Sequence, residues 1–240
     1  MSTNVHDLKH FYSQRRGRLV RRFVSSHIRE MWPDLHGQRL MGCGYALPYL
    51  NNIGREAERN FAFMPQALGV HYWPEGEKGR VFLGDETDLP IETESIDRIL
   101  VIHGLEFFDR PSACFHELWR VLKSSGRLMV LVPNRLGFWA RSEGTPFGHG
   151  RPYSVRQLTH ILQDNMFIHE RTEQALFMPP FKSFPVMRTA YAFESLGRFI
   201  FPGLAGVHIV EASKQIYAGS AKAPAGTRRG LGLKQTAPTQ

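Results

Sequence analysis

Apolar and polar positions change period along the chain, and each change marks an element. Between residues 5 and 31, Leu8, Phe11, Tyr12, Leu19, Val20, Phe23, Val24 and Ile28 recur near helical spacing, with Arg15, Arg16, Arg18, Arg21, Arg22 and Arg29 between them. That predicts an amphipathic helix, broken at Gly17, whose apolar stripe packs on the domain while its basic face is solvated. A phosphate or membrane contact is the competing role for the basic face. From Gln38 onward short apolar runs alternate with helical ones. Strands are predicted at 40–43, 60–65, 80–85, around 99–102 and at 127–134, with helices over 49–59 and 111–126. The second helix has Pro111 in its first turn and Gly126 past its expected end, as the orphan backbone groups of helix ends favour. The stretch "RLMVLVPN" is almost continuously apolar, which suits a strand covered on both faces. Strands alternating with helices predict a parallel sheet.

Beyond residue 134 the pattern loosens. A glycine-rich loop (136–154) leads into a helix expected to be capped by Ser154 and to run to about Asn165, and strands are expected over 167–176 and 206–217. Between those strands, Phe177, Phe181, Phe184, Tyr191, Phe193, Phe199 and Phe201 are interrupted by Lys182, Arg188, Glu194 and Arg198. This insertion reads as core packing, with an apolar lid over a ligand or a peripheral membrane contact as the rival readings. We therefore expect one α/β domain over 1–218, doubly wound and Rossmann-like, with a mostly parallel sheet of seven strands whose last strand is antiparallel. Residues 1–35 form its N-terminal helical segment, 177–203 its insertion, and 219–240, rich in Gly, Pro, Ala and Thr, a disordered basic tail.

The formal net charge of +8 raises the question of a nucleic-acid partner, and its distribution answers it. Residues 1–30 hold seven Lys or Arg against two acids and 219–240 hold four against none, leaving nineteen basic and twenty acidic residues between. The body is near neutral, which argues against a nucleic-acid-binding domain. Cys43 and Cys114 are the only cysteines, so neither a disulfide framework nor a thiolate zinc cluster is expected, and a reducing cytoplasm is the natural compartment. No apolar run approaches the roughly 18 residues a membrane span needs. No metal is expected: H-E-x-x-H is missing, and the pair His6 and His10 lies in the charged N-terminal segment.

Ligands of open parallel sheets bind beyond the carboxyl ends of the strands, so the residues just after each strand carry the chemistry. These are "GCGYA" after the first, "GDETDLPI" after the third, "HGLEFFDRP" after the fourth and "PNR" after the fifth. With the helix end "ELWRVLKSSG" and the later "HGRPYSVRQLTHILQDNMF", they resemble the class I S-adenosylmethionine-dependent methyltransferases of the type 11 group, over about residues 8–217 and most specifically over 84–134. The resemblance implies S-adenosylmethionine as cofactor and a small-molecule acceptor, apolar or quinone-like. It places Gly42, Gly44 and Tyr45 beside the methionine part and Gln66 near the ribose. Asp85 would face the adenine amino group with Glu86 alongside, and His103 would lie near the sulfonium and the acceptor. His149, Tyr153 and Arg141 are candidates for acceptor contact.

Two features depart from the family. The second strand ends "AFMPQ", so the carboxylate that usually holds the ribose hydroxyls is missing, a loss of about 1–2 kcal/mol if Gln66 stands in. The glycine turn has two registers: Gly42 as first glycine, or Gly44 as first glycine with Gly42 in place of the usual aspartate. The second gives a strand over 39–43 and puts Pro48 in a helix's first turn, where proline is tolerated. A non-catalytic binding or regulatory protein of the same fold is the alternative to an enzyme, and an RNA methyltransferase using its basic ends is a third reading. Spacing excludes a dinucleotide fingerprint, because Leu47 or Tyr49 falls where G-x-G-x-x-G needs its last glycine.

Overall fold

The computed structural model describes residues 4–76, 78–180, 190–200 and 202–216; the side chains of Arg198 and Pro202 also lie outside the described set, as do the expected tail 219–240, Phe181, Lys182, Phe184, Arg188 and Phe201. Seven strands form one sheet: β1 (Arg39–Gly44), β2 (Arg59–Pro65), β3 (Val81–Gly84), β4 (Ile96–Ile102), β5 (Leu122–Pro133), β6 (Phe167–Ala175) and β7 (Val207–Lys214). Their spatial order is β3-β2-β1-β4-β5-β7-β6. The first five are parallel, and β7 runs antiparallel to both β5 and β6. This is the doubly wound sheet expected from the strand–helix alternation.

Alternation within single strands builds two cores. Leu40, Leu100, Ile102, Met129, Leu131, Val207 and Ile209 face one side, where they meet α1 (Val5–Ser13), α2 (Arg15–Met31) and α3 (Leu47–Ile53). Met41, Cys43, Ile99, Val101, Leu128, Val130 and Val132 face the other, against α4 (Pro111–Val121) and α5 (Val155–Asp164). Both faces of the central strands are thus covered, which is why their sequences lack a polar alternate.

Three boundaries differ from the sequence expectation, each for a local reason. The N-terminal break falls at Gln14, whose backbone is extended, while Gly17 sits inside α2. A side chain on Gly17 would run into the backbone of Phe11 and Tyr12, so the glycine serves the close crossing of α1 and α2 and not the break. Helix α3 ends at Ile53 and β2 already begins at Arg59. Helix α4 stops at Val121, because Leu122 turns extended and pairs with Ile96 of β4. Residues 123–126 then form an irregularity within β5, where Lys123 Nζ grips Asp97 at 2.8 and 2.9 Å. Gly126 lies against Leu122, so it does not cap the helix. By contrast α5 starts as expected, with Ser154 and Gln157 forming a reciprocal cap.

The sheet also buries a histidine. His208 on β7 is 4% exposed and its Nδ1 has no hydrogen-bond partner among the described residues. Burial lowers its pKa from 6.5 to about 4. A depressed base resists protonation in the folded state, so the unfolded chain binds more protons between those values. Its contribution is therefore complete above pH 6.5 and is lost as pH falls towards about 4, on the order of 3 kcal/mol at the low end. Denaturant unfolding at pH 7 and pH 5 should show lower stability at pH 5, and His208→Gln should shrink that difference; an unchanged difference would remove His208 as its source.

Candidate functional site

The strand order reverses between β1 and β4, so their carboxyl ends border the crevice where such sheets hold ligands. Two residues with left-handed backbone meet there. Gly44, at φ +76°, ends β1, and a Cβ on it would lie 2.5 Å from the Ile102 carbonyl oxygen and 2.7 Å from that of His103. His103, at φ +48°, follows β4 in a conformation that costs a non-glycine residue free energy. The glycine permits contact between the strand ends, and the turn at His103 aims its imidazole over them. Strand β1 closes on Gly44 and α3 carries Pro48 in its first turn, which fits the register with Gly44 as first glycine.

The imidazole is held at both nitrogens. Tyr12 Oη of α1 lies 2.8 Å from His103 Nε2 and 2.9 Å from Tyr49 Oη, and Glu106 Oε1 lies 3.3 Å from Nδ1. A carboxylate only accepts, so the consistent order has His103 Nδ1–H donating to Glu106 while the Tyr12 hydroxyl donates to Nε2. The side chains of His103 and Glu106 are fully buried. Glu106 Oε2 has no hydrogen-bond partner among the described residues. Burial, with the Tyr49 hydroxyl next, holds the Tyr12 phenol well above its ordinary pKa, so it stays protonated at neutral pH.

Aromatic rings close the space around this network. Tyr45 stacks on Tyr12 with centroids 5.9 Å apart, Phe11 meets Tyr12 edge-on, and Phe147 lies 4.9 Å from the His103 ring with Trp139 behind it. The loop carrying Phe147 is tied to α2 and to residue 180 by Arg16, which donates to the carbonyls of Gly144 and Pro180 at 2.6 and 3.0 Å. In this arrangement α1 and the loop form the roof.

The remaining candidates are spread around this centre. Gly42 is pressed against Leu50 and Ala46. Tyr45 is buried, its hydroxyl 3.3 Å from Nε2 of His71 in the connection between β2 and β3. Met64 and Pro65 end β2 buried, and Gln66 beyond them is exposed. Asp85 is exposed after β3; its Oδ1 accepts from the Thr87 N–H and hydroxyl at 2.8 and 2.7 Å, and those bonds hold its carboxyl below the ordinary pKa. Glu86 beside it is half-buried. Tyr153 is buried, and after burial itself the Glu106 charge raises its phenol pKa. His149 and Arg141 are not gathered at the centre. His149 Nε2 bonds the Glu143 carbonyl and its side lines an outer cavity with Asn4 and His10, while Arg141 is exposed. Tyr12, Tyr49, Glu106 and Phe147 complete the centre without having been singled out in the sequence. Glu106 stands in "HGLEFF", three residues after His103, the one signal that pointed to it. One surface cluster, Asp34 with His36 and Glu56, has metal-ligand spacing; Asp34 already bonds His36 and Glu56 pairs with Arg29. No helix among the described residues is long and apolar enough to cross a membrane.

Residues 41–130 match a family model described as a methyltransferase domain. Among curated proteins, an uncharacterized protein of Methanocaldococcus jannaschii is 22% identical over 139 residues, 55% of this chain and 63% of that protein's length, so the match spans under two thirds of the relative. An S-adenosylmethionine-dependent methyltransferase of Thermotoga maritima superposes with a TM-score of 0.57 at 18% identity, covering 88% of this chain and 96% of that one. The cyclase SpnF is similar at a TM-score of 0.53 and 19% identity, covering 81% of each chain. Likeness at these identities establishes the fold, and folds of this kind host more than one chemistry.

Two glycines test the strand-end contact. Gly44→Ala combines left-handed strain with a carbonyl collision and should cost about 3 kcal/mol or more. Gly37, at φ +67°, has open space around it, so Gly37→Ala should cost only about 1 kcal/mol. Equal losses in chemical denaturation would show that the Gly44 contact adds nothing.

Proposed function

We propose that this chain, which has the class I methyltransferase fold and a methyltransferase domain of the type 11 kind over residues 41–130, is an enzyme that transfers a methyl group from S-adenosylmethionine to a small, largely apolar acceptor such as a quinone-like ring. The observation that carries the acceptor class is the aromatic enclosure of Phe11, Tyr12, Tyr45, Phe147 and Trp139 around His103. With Tyr12 displaced, such a surround of rings would favour a flat apolar ligand and exclude water.

The residues fit the cofactor in three places. The Gly44 turn keeps the backbone at the crevice free of a side chain. The exposed Asp85 carboxylate, with Oδ1 engaged by Thr87, offers Oδ2 to an amino group. The orphaned, buried Glu106 oxygen suits a cationic group close by, since an unpaired buried carboxylate oxygen is costly. Where the family has an acid for the ribose, this chain has the exposed Gln66, with the Tyr45 hydroxyl and the His71 imidazole as further hydrogen-bonding groups. When bound, the cofactor supplies a methyl group already activated on sulfur, so alignment and water exclusion carry most of the rate. Tyr12 must move for an acceptor to reach His103. Once it has, Nε2, with Nδ1 held by Glu106, receives an O–H or N–H proton from the acceptor.

A non-catalytic binding role is the second reading, favoured by the ring-filled crevice and by the Met64–Pro65 end of β2. Calorimetric titration with S-adenosylmethionine and S-adenosylhomocysteine separates the two. Binding is expected, weakened about tenfold in Asp85→Ala and also reduced in Glu106→Gln. No heat at millimolar cofactor would leave the binding-protein reading standing and the enzyme without support.

A further inference from the structure

The described helix of the insertion, α6 (Ala190–Ile200), is locked in rotation by its inner side. Glu194 accepts from the Leu176 and Phe177 N–H groups at 2.7 and 2.8 Å, and Gly197 seats against Phe177. The outer side is then fixed towards solvent, and it is apolar: Phe193, Leu196, Phe199 and Ile200 are 43%, 56%, 83% and 59% exposed. At 100° per residue these four form one stripe. Beyond the helix the Gly203 carbonyl accepts from Asn134 Nδ2, which roots the loop bearing Leu136 and Phe138, also exposed, near the same end.

On its other flank α6 touches the basic face of α2. Tyr191 packs on Phe23 with ring centroids 5.0 Å apart, and the Arg22 guanidinium lies 5.3 Å over the Tyr191 ring. Arg22 belongs to a groove of about 620 Å³ lined also by Arg18, Arg21, Arg29 and Arg55. Arg29 pairs with Glu56, but no carboxylate among the described residues pairs with Arg18, Arg21, Arg22 or Arg55. Ser25, also lining the groove, is 3% exposed and its hydroxyl has no hydrogen-bond partner among the described residues.

We infer that this face docks on an anionic phospholipid bilayer, with the α6 stripe entering the acyl boundary and the α2 groove receiving lipid phosphates. The charge of the groove selects an anionic partner, and the adjoining stripe selects one with an apolar interior. A nucleic acid meets the first condition and could stack on Phe193 and Phe199, but the aliphatic Leu196 and Ile200 between them add apolar surface that base stacking does not use. The inference goes beyond the proposed catalysis and does not rest on it, because vesicle binding needs no cofactor.

Sedimentation of the full chain with vesicles tests it. The protein should partition onto phosphatidylcholine vesicles containing phosphatidylglycerol and not onto pure phosphatidylcholine. The double variant Arg21→Gln/Arg55→Gln should lower the partition coefficient about 25-fold, at about fivefold per guanidinium. Phe199→Asp should lower it at least about tenfold, with circular dichroism unchanged in both variants. Leu196→Gln repeats the second test at a different site. Failure to bind either vesicle overturns the proposal. Binding that survives Phe199→Asp and is released by single-stranded RNA overturns it too, in favour of a general polyanion patch.

Discussion

The contact between the end of β1 and the end of β4 governs the rest of the molecule. Gly44 has no side chain because the carbonyls of Ile102 and His103 lie where one would stand. The pinched strand ends force the chain after β4 into a left-handed turn, and that turn aims His103 towards α1. With the imidazole fixed, Tyr12, Tyr49 and Glu106 have defined places, and the rings of Tyr45 and Phe147 fill what remains. The strain at His103 is offset by the hydrogen bonds it gains, which is how an uncommon backbone conformation persists in a folded protein.

Helix α2 links this centre to the surface. Its buried Arg16 reaches into the loop that carries Phe147, whereas Arg18, Arg21 and Arg22 face outward beside α6. The two roles follow from helical geometry alone: residues on opposite sides of one helix meet different environments. The basic charge noted at the N-terminus is thus a face of a packed helix, and the near-neutral body below it does not dilute it.

Most of the fold was legible because burial on both faces leaves a strong mark. The continuous apolar runs of β1, β4 and β5 and the turn residues between them fix the strands, and the antiparallel last strand follows from the resemblance. Boundaries were less legible where tertiary contact overrode local signals. Gly17 and Gly126 both look like punctuation, yet each serves a close approach, one to α1 and the other to Leu122. In the candidate site Gly44 and His103 could be picked out, since topology places the ends of β1 and β4 side by side, whereas Asp85 lies apart and exposed after β3. Tyr12 and Phe147 could not, because their nearness to His103 depends on how a helix and a loop fold over the sheet, and their spacing in sequence carries no trace of it. Glu106 was hidden for another reason: a glutamate beside three apolar residues looks like a solvated turn until its burial is known.

The roof formed by α1 is held by the burial of Val5, Leu8, Phe11 and Tyr12 and by the Tyr12 hydroxyl's bonds beneath it. At one end stand the Asn4 cap and a single bond from Val5 N–H to the Leu68 carbonyl, and at the other the extended backbone of Gln14. Tyr12 and Phe11 occupy the volume next to His103, so on the proposed function an apparent affinity would be lowered by the need to move them. On the proposed function, the N-terminal helix would be an internal competitor: a ligand that reaches His103 would have to displace Tyr12 and Phe11 first.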